Sequence, residues 1–482
     1  MAVQILRDIT IDDHSSGVLD DLSVSDALMP RNAVRHAVNV VFDRPRGSIS
    51  QRYGTTVLGD QAGAAGADIK GLFNHRSSTA AYSQILAASV TTVDYLASGT
   101  TWTAIFTGLT TTLKTRFITY LDVVAVLNGT DAVKSWTGNT GAAVVTTGGP
   151  LDVANFPVTK IAVVLKDRVL AIGNSSNPCR VYESSLPSGG NISWTSGNRN
   201  VDVSINDGAG SLMSAVSNGF VALLFKERAM YRYDGNSLQM IASVGTTSHE
   251  SVVTDGEGVT YFFGQGSNSV GIYATTGGYP KLLSRPIQKW INAISGSNYA
   301  NIACYTNGKK ITWHIGSVTI DGTTYTNATI VYSIADRTWE CGNYADRFTV
   351  FSQYIDSGSA ISVVGGDTDG YVQTMDSGYT DNGASIPYEC ELGPQVFTGR
   401  SRMKHIPSVI TSATDYQGLT LHCRVDGVLK PIGGISASDQ LFDNVDLHGH
   451  IFNFKLAGSN SNKPFVFDGI TLPTVQDQEY VF

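Results

Sequence analysis

The sequence contains little of what helices favour. Only 8 of its 482 residues are Glu and 14 are Lys, whereas Gly contributes 50. Helices favour Glu, Lys, Leu and Ala, while strands and turns favour Thr, Val, Tyr, Gly and Asn. The composition therefore predicts an all-β protein.

Closely spaced cysteine pairs, excess positive charge and long apolar runs are also missing. The five cysteines stand far apart without a Cys-x-x-Cys pair, so we expect reduced, mostly buried thiols. The net charge of −8 argues against tight binding to nucleic acid, which depends on Lys and Arg neutralising phosphates. No apolar run approaches the roughly 18 residues that span a bilayer, and the first ten residues lack a signal-type segment. We expect a soluble protein, made in a cytosol, with no membrane span.

Enzymatic motifs are absent from the sequence as well. It contains no GxSxG, HExxH or GxxxxGKS, and no GxGxxG in a βαβ setting. The nine histidines are scattered, and none pairs with another at ligand spacing, so we expect no metal site and no cofactor. Asp367 and Asp369 alternate in GGDTDGYV but lack the further oxygen ligands of a calcium loop, which favours a self-capping turn. The chain is therefore not expected to be an enzyme.

The stretch FVALLFKERAMYRYDGNSLQMIASV, residues 220–244, shows the unit from which the chain is built. Three short apolar runs are separated by the charges Lys226, Glu227 and Arg228 and by the pair Asp234-Gly235. Asp-Gly suits a two-residue reverse turn because Gly accepts a positive φ and Asp tolerates it. The stretch predicts an antiparallel meander, which needs similar neighbours to bury both of its faces.

A similar phrase recurs along the chain, with an aromatic or β-branched residue leading into a polar turn. It occurs near Tyr95, Val133, Tyr182, Tyr231, Tyr273, Tyr332 and Val372. The intervals are 38, 49, 49, 42, 59 and 40 residues. Periods of about 40 to 50 residues with several short strands each are typical of a β-propeller. We predict six or seven blades over residues 69–387.

Both ends of the chain depart from this repeat. Residues 1–68 form an N-terminal arm and linker, first acidic and then basic, which either docks on another protein or packs on the chain's own C-terminal domain. Residues 388–482 contain longer strands with a new spacing. We assign them to a C-terminal β-sandwich or barrel-like domain that the arm could complete.

Two further patterns lie inside the predicted propeller. In SRPIQKWINAIS, residues 284–295, four apolar residues share one helical face, with Ser284 as a candidate N-cap. The segments 98–102 and 335–339 partly resemble the Asp-box turn of sialidases, although neither copy is complete. A glycan-processing propeller would need paired carboxylates near the ring axis, so glycan binding or hydrolysis is kept as an alternative function.

Three stretches together resemble the tail nozzle proteins of short-tailed bacteriophages, also called tail tube protein B or packaged-DNA stabilisation protein. The first runs from Pro30-Arg31-Asn32 through Asn39-Val40-Val41-Phe42 to Arg52-Tyr53-Gly54-Thr55-Thr56. The second is GIYATTGGYPKLLSRPIQKWINAI, and the third runs from YECELGPQVFTGRSRMKHI to FNFKLAGSN. The similarity lies in the order of these segments and in their residue patterns, and it extends over most of the chain.

The resemblance implies a homohexamer in the virion tail, at the distal end of the portal–adaptor channel. The ring would retain packaged double-stranded DNA and conduct it during ejection, without tight binding. A platform from both chain ends would dock on the adaptor, or head–tail connector, and tail fibres or spikes would attach outside; synthesis would occur in the cytoplasm of the host bacterium. The basic stretch is then the expected adaptor-docking interface, with seven residues: Arg31, Asn32, Arg35, Phe42, Arg44, Arg46 and Arg52.

Overall fold

The computed structural model describes residues 4–20, 29–30, 32–42, 47–62, 66–76, 84–138, 144–267, 269–356, 360–397, 402–460 and 464–478. The described chain is almost entirely β-structure, as the composition predicts. Its strands form nine sheets. Seven of these sheets form a β-propeller, and the other two form a platform built from both ends of the chain.

The N-terminal segment contributes five short strands. They are β1 (Gln4–Ile11), β2 (Val34–Val38), β3 (Val40–Phe42), β4 (Ile49–Gln51) and β5 (Thr56–Val57). The first four belong to the platform, whereas β5 belongs to the propeller. The arm therefore joins the two parts of the molecule.

Blades one to four follow in chain order. Blade one contains β6 (Ile69–His75), β7 (Gln84–Ser89), β8 (Thr92–Ser98) and β9 (Thr101–Phe106), and blade two contains β10 (Arg116–Tyr120), β11 (Val123–Leu127) and β12 (Lys134–Trp136). Blade three contains β13 (Ile161–Leu165), β14 (Arg168–Ile172), β15 (Arg180–Glu183) and β16 (Arg199–Asp202). Blade four contains β17 (Leu212–Ser217), β18 (Ala222–Lys226), β19 (Met230–Tyr233) and β20 (Leu238–Ala242). Each sheet is an antiparallel meander in sequence order. Asp234-Gly235 lies between β19 and β20, as the turn chemistry predicts.

Blades five to seven complete the ring. Blade five contains β21 (Val244–Gly245), β22 (Val252–Thr254), β23 (Thr260–Gly266), β24 (Val270–Thr275) and β25 (Lys281–Leu282). Blade six contains β26 (Ala303–Thr306), β27 (Lys310–Ile320), β28 (Thr323–Ser333) and β29 (Trp339–Asn343). Blade seven contains β30 (Phe348–Ile355), β31 (Ile361–Asp367) and β32 (Val372–Thr374). Strand β5 pairs with β32 as the outer strand of blade seven. The innermost strands contact their neighbours around the ring, and β30 contacts β6. The propeller therefore has seven blades.

A helical insertion explains the one long interval in the sequence repeat. Between blades five and six lie 3₁₀ turns at Arg285–Ile287 and Gly296–Asn301 and the helix α1 (Gln288–Ala293), and a third 3₁₀ turn, His249–Ser251, lies in blade five. The predicted apolar face is buried at Ile287, Trp290, Ile291 and Ile294. Ser284 makes no side-chain cap, because its hydroxyl accepts a hydrogen bond from the backbone of Ile272 at 3.0 Å instead. The cap prediction was therefore wrong.

The C-terminal segment supplies the remaining strands. They are β33 (Thr380–Asp381), β34 (Ala384–Leu392), β35 (Met403–Ile406), β36 (Val409–Thr414), β37 (Thr420–Val425), β38 (Val428–Gly434), β39 (Asp439–Phe442), β40 (Leu447–Gly449), β41 (Phe452–Asn460) and β42 (Val466–Gln478). In an eight-stranded sheet β1 and β4 pair with β42 and β3 pairs with β4, and in a six-stranded sheet β2 pairs with β34. Buried residues of both sheets share one core. The described part of the arm thus pairs with the chain's own C-terminal strands, which is the second of the two alternatives, rather than extending away.

Candidate functional site

The segment Arg52–Thr56, here called the closing segment, links the platform to the propeller. Its backbone is held by hydrogen bonds from Gly54 N to Gly378 O at 3.0 Å and from Thr55 N to Thr380 O at 2.9 Å. A Cβ on Gly54 would lie 1.9 Å from the Thr380 carbonyl oxygen, so only glycine allows this close approach. The Arg-x-Gly-Thr phrase therefore has a structural reason, because it closes the ring through β5.

Arg52 is the buried anchor of the closing segment. Its guanidinium donates to both carboxylate oxygens of Asp381, at 2.8 and 2.7 Å, and lies 3.7 Å from the ring centroid of Tyr344. The two charged side chains are only 11% and 4% exposed. Arg52 Nε also donates to Asn39 Oδ1 at 2.8 Å. Arg52 is thus committed to contacts within the chain, which corrects its assignment to a docking surface.

Asn39 extends the same network into the platform. Its backbone adopts a positive φ of 60°, which Asn tolerates better than most residues. The side-chain amide donates to Pro387 O at 2.7 Å, and its oxygen accepts from Asn343 N at 2.7 Å. Asn39 therefore connects the strands of the platform to blade six.

The other predicted docking residues do not form one surface. Phe42 is buried in the platform core, which corrects its assignment in the same way as for Arg52. Asn32 is half-buried and its amide lies 3.4 Å from Asp13 Oδ2 and 3.3 Å from Ser15 Oγ. Arg35 is half-buried and lines a charged cleft. Arg31, Arg44 and Arg46 lie outside the described residues.

This charged cleft, of about 520 Å³, is lined by residues of the platform, α1 and the β27–β28 hairpin of blade six. Both acidic and basic side chains line it. Its charged lining residues, with His36, are the following: Asp20, Arg35, Lys289, Asp321, Glu389, Glu391, Arg424, Asp426 and Lys455. No local sequence pattern indicates this cleft, because its residues come from distant segments of the chain.

Glu389 contacts three side chains of the cleft. Its Oε1 lies 3.0 Å from His36 Nε2 and accepts from the Tyr325 hydroxyl at 2.5 Å, while Lys455 Nζ donates to Oε2 at 2.6 Å. Hydrogen bonding from His36, with that from Lys455 and Tyr325, outweighs burial and holds the pKa of Glu389 well below its usual range. Burial and the bond to Glu389 raise the pKa of Tyr325. Glu389 is therefore a fixed anion.

Asp20 differs from Glu389 within the same cleft. Burial raises the pKa of Asp20, and the Lys289 ammonium, 3.7 Å away, only partly opposes this. Glu391 pairs with Arg424 at 3.2 Å. Two carboxyl groups with pKa values shifted in opposite directions thus line one polar cleft, at the junction with the platform rather than near the ring axis.

A second charged cluster crosses the axis of the propeller. Arg116 of blade two lies 2.7 Å from Glu250, which comes from the turn before β22 in blade five. In a ring of seven blades these two are nearly opposite, so the ion pair spans the axis. Lys114 Nζ donates to Thr349 O of blade seven at 2.6 Å. Arg116 and Lys114 outweigh burial and lower the pKa of Glu250 to about 2. Charged side chains therefore occupy this end of the axis.

Comparisons with known proteins show similarity of fold alone. No family model matches the chain, and no curated protein matches it. Among solved structures, the N-terminal domain of Nup159 is 10% identical, with 70% of this chain and 97% of that chain covered at a TM-score of 0.40. YCF48, solved with a D1 peptide, is 9% identical over 67% of this chain and 95% of that chain, at 0.39. The computationally designed Ika8 protein is 10% identical over 66% and 99%, also at 0.39. The propeller assignment itself follows from the order and closure of the seven sheets.

Proposed function

We propose that the chain is a structural virion protein, a tail nozzle whose six copies form a ring at the end of a portal–adaptor channel. The ring retains packaged DNA and conducts it during ejection. The observation that carries this proposal is the single platform built from both chain ends and joined to a closed propeller through a buried ion pair. Such a subunit can dock through its platform and hold the propeller at a fixed position beyond the docking surface.

In this proposal DNA passes between the subunits and not through any one propeller. The Arg116–Glu250 pair crosses the propeller axis, so that path is obstructed. A lumen shared by six copies repeats each lining residue six times, and about 6 to 10 phosphate contacts make DNA binding strong and salt-dependent. A chain with a net charge of −8 permits an acidic or neutral lining that releases DNA.

We place adaptor docking at a groove of the platform, here called the platform groove. It measures about 680 Å³ and contains Asn32, which is the one docking residue found there among the four predicted ones that the structure describes. Its walls combine apolar residues of β1 with the turn after β34: Leu6, Ile9, Ile11, Pro394, Val396 and Phe397. The groove is also lined by Thr10, Asp12, Asp13 and Gln395, and a surface that mixes apolar and polar residues in this way is compatible with a protein interface. Fibres or spikes would attach to the outside of the ring.

Reconstitution with a portal–adaptor complex tests this function. Native mass spectrometry should show six copies of the chain on each adaptor ring, and Ile9→Glu in the platform groove should abolish the complex. Ile361→Glu, at a residue 69% exposed on blade seven, is the matched control and should bind normally. Normal binding by Ile9→Glu would contradict docking through this groove, and failure of the unaltered chain to bind any adaptor would contradict the function.

The second candidate, a propeller that binds or hydrolyses glycans, has one supporting observation. Carboxyl groups whose pKa values are driven apart are the pattern of acid and nucleophile in glycosidases, and Asp20 and Glu389 show it in the charged cleft. Sugar binding that is lost in both Asp20→Asn and Glu389→Gln would favour this candidate. Unchanged glycan binding in both variants would show that the sugar site lies outside the charged cleft, and no glycan binding by the unaltered chain would eliminate the candidate.

A further inference from the structure

Two histidines lie face to face on adjacent strands of the platform. His405 of β35 and His448 of β40 are cross-strand partners. Their rings are stacked with centroids 4.1 Å apart and an interplanar angle of 4°. Asp446, just before β40, places Oδ1 2.9 Å from His405 Nε2 and 3.0 Å from His448 Nε2. Three potential ligand atoms therefore converge on one point.

His405 is oriented by a hydrogen bond at its other ring nitrogen. Its Nδ1 lies 3.2 Å from Gln476 Oε1, which is an acceptor, so Nδ1 is the donor in this contact. Nε2 faces Asp446 Oδ1 at 2.9 Å, yet it is buried without a well-oriented hydrogen bond. A buried ring nitrogen and a carboxylate oxygen that lie side by side in this way are two ligand atoms that one cation can bind.

We propose that His405, His448 and Asp446 bind one divalent transition-metal ion of the Zn²⁺ class. Zinc lies about 2.0–2.1 Å from such ligands in a tetrahedron, so its ligand atoms are about 3.3 Å apart. The three atoms lie within 4.8 Å of one another, and the two stacked rings must tilt apart so that both Nε2 lone pairs meet one ion. Two imidazoles with one carboxylate suit zinc, copper or nickel rather than calcium or magnesium.

The surroundings fit a metal site in two further respects. Gln476 occupies the position of the outer partner that orients a ligating histidine through its other ring nitrogen. Asp446 is 73% and His448 40% exposed, so water can fill the fourth position. Strand β40 is the terminal strand of the sheet order and pairs only with β35 among the described strands. The ion would therefore fasten an edge strand whose partner lies some 40 residues earlier in the chain.

Zinc titration of the purified full chain, stripped with EDTA and dialysed, tests the site. Isothermal calorimetry with Zn²⁺ alone should show one ion per chain. Asp446→Asn and His448→Gln should each weaken binding at least about tenfold, because each removes a ligand, and Gln476→Leu should weaken it by about 10- to 100-fold. Asn is chosen at position 446 because φ there is 50°, a conformation that Asn tolerates.

Matched controls separate the site from adventitious binding. Asp443→Asn removes a nearby exposed acid, and His422→Gln removes a histidine of the other platform sheet; both should bind like the unaltered chain. Melting temperatures in EDTA establish that every variant is folded. The proposal fails if the unaltered chain binds no zinc at micromolar concentration, or if Asp446→Asn and His448→Gln bind as tightly as the controls.

Discussion

Removal of the Asp381 carboxylate should destabilise the protein severely. Asp381 accepts two hydrogen bonds from Arg52 and one from Ala345 N at 3.0 Å, and it is almost fully buried. Asp381→Ala leaves the guanidinium buried without a counter-ion. Breaking a buried pair in this way costs about 3–5 kcal/mol, which is a large part of the roughly 5–15 kcal/mol that stabilises a protein. Urea denaturation followed by tyrosine and tryptophan fluorescence measures the loss.

The pair between Arg180 and Asp202 provides the matched control. It has the same two-pronged geometry, with distances of 2.7 and 3.0 Å, but the side chains are 31% and 44% exposed on the outer strands of blade three. Solvent screens such a pair, so Asp202→Ala should leave the denaturation midpoint almost unchanged. If Asp381→Ala and Asp202→Ala lowered the denaturation midpoint equally, burial would not be the reason why the ion pair between platform and propeller stabilises the protein.

Three other perturbations have defined outcomes. Gly54→Ala should lower the free energy of unfolding by about 1–3 kcal/mol, because its Cβ would overlap the Thr380 carbonyl, and thermal unfolding measures this. Burial, with the nearby Arg116 charge, lowers the pKa of His249 to about 4 from an ordinary value near 6.5. The unfolded chain therefore binds this proton first as the pH falls from about 6.5 to 4, and stability should decline over that window by up to about 3 kcal/mol. His249→Asn should flatten the decline in urea titrations across that range. Docking through the basic stretch, as its sequence indicates, predicts that charge reversal at both Arg31 and Arg35 blocks binding to the adaptor, whereas docking through the platform groove alone predicts normal binding; the propeller should stay folded in both cases, as pull-down and circular dichroism would show.

Each of these has its own control. Gly256→Ala adds a methyl group in open space and should be neutral, so equal losses for Gly54→Ala and Gly256→Ala would contradict the steric argument. An unchanged pH dependence in His249→Asn would contradict the burial of a neutral imidazole. Arg232→Glu, at an exposed position of blade four, should dock normally. Normal tail assembly with Arg31 and Arg35 both reversed would show that the basic stretch has no docking role.

The sequence repeat predicted the propeller well because each copy of the repeated pattern marks the same strand of a blade. All seven copies fall on or directly beside the third strand of a blade, from Tyr95 in β8 to Val372 in β32. Polar turns and apolar strands are local properties, so the sequence displays them. The long interval before Tyr332 reflects the helical insertion, which adds residues without adding a blade.

The sequence did not indicate which residues pair with partners far along the chain. Arg52 was predicted to be exposed because it lies in a basic stretch, yet its partner Asp381 is more than 300 residues away. Lys226, which the sequence suggested as a strand stop, is the buried last residue of β18 and pairs with Asp207 at 2.7 Å. His405 and His448 are too far apart in sequence to resemble a metal motif, and only strand pairing brings them together.

Electron cryo-microscopy of purified virus particles that carry this chain tests the proposed role most directly. The account predicts six copies in a ring at the distal end of the adaptor, each with a seven-bladed propeller, and a DNA path bounded by all six subunits. Absence of the chain from the particles, or a DNA path through the axis of a single propeller, would contradict it.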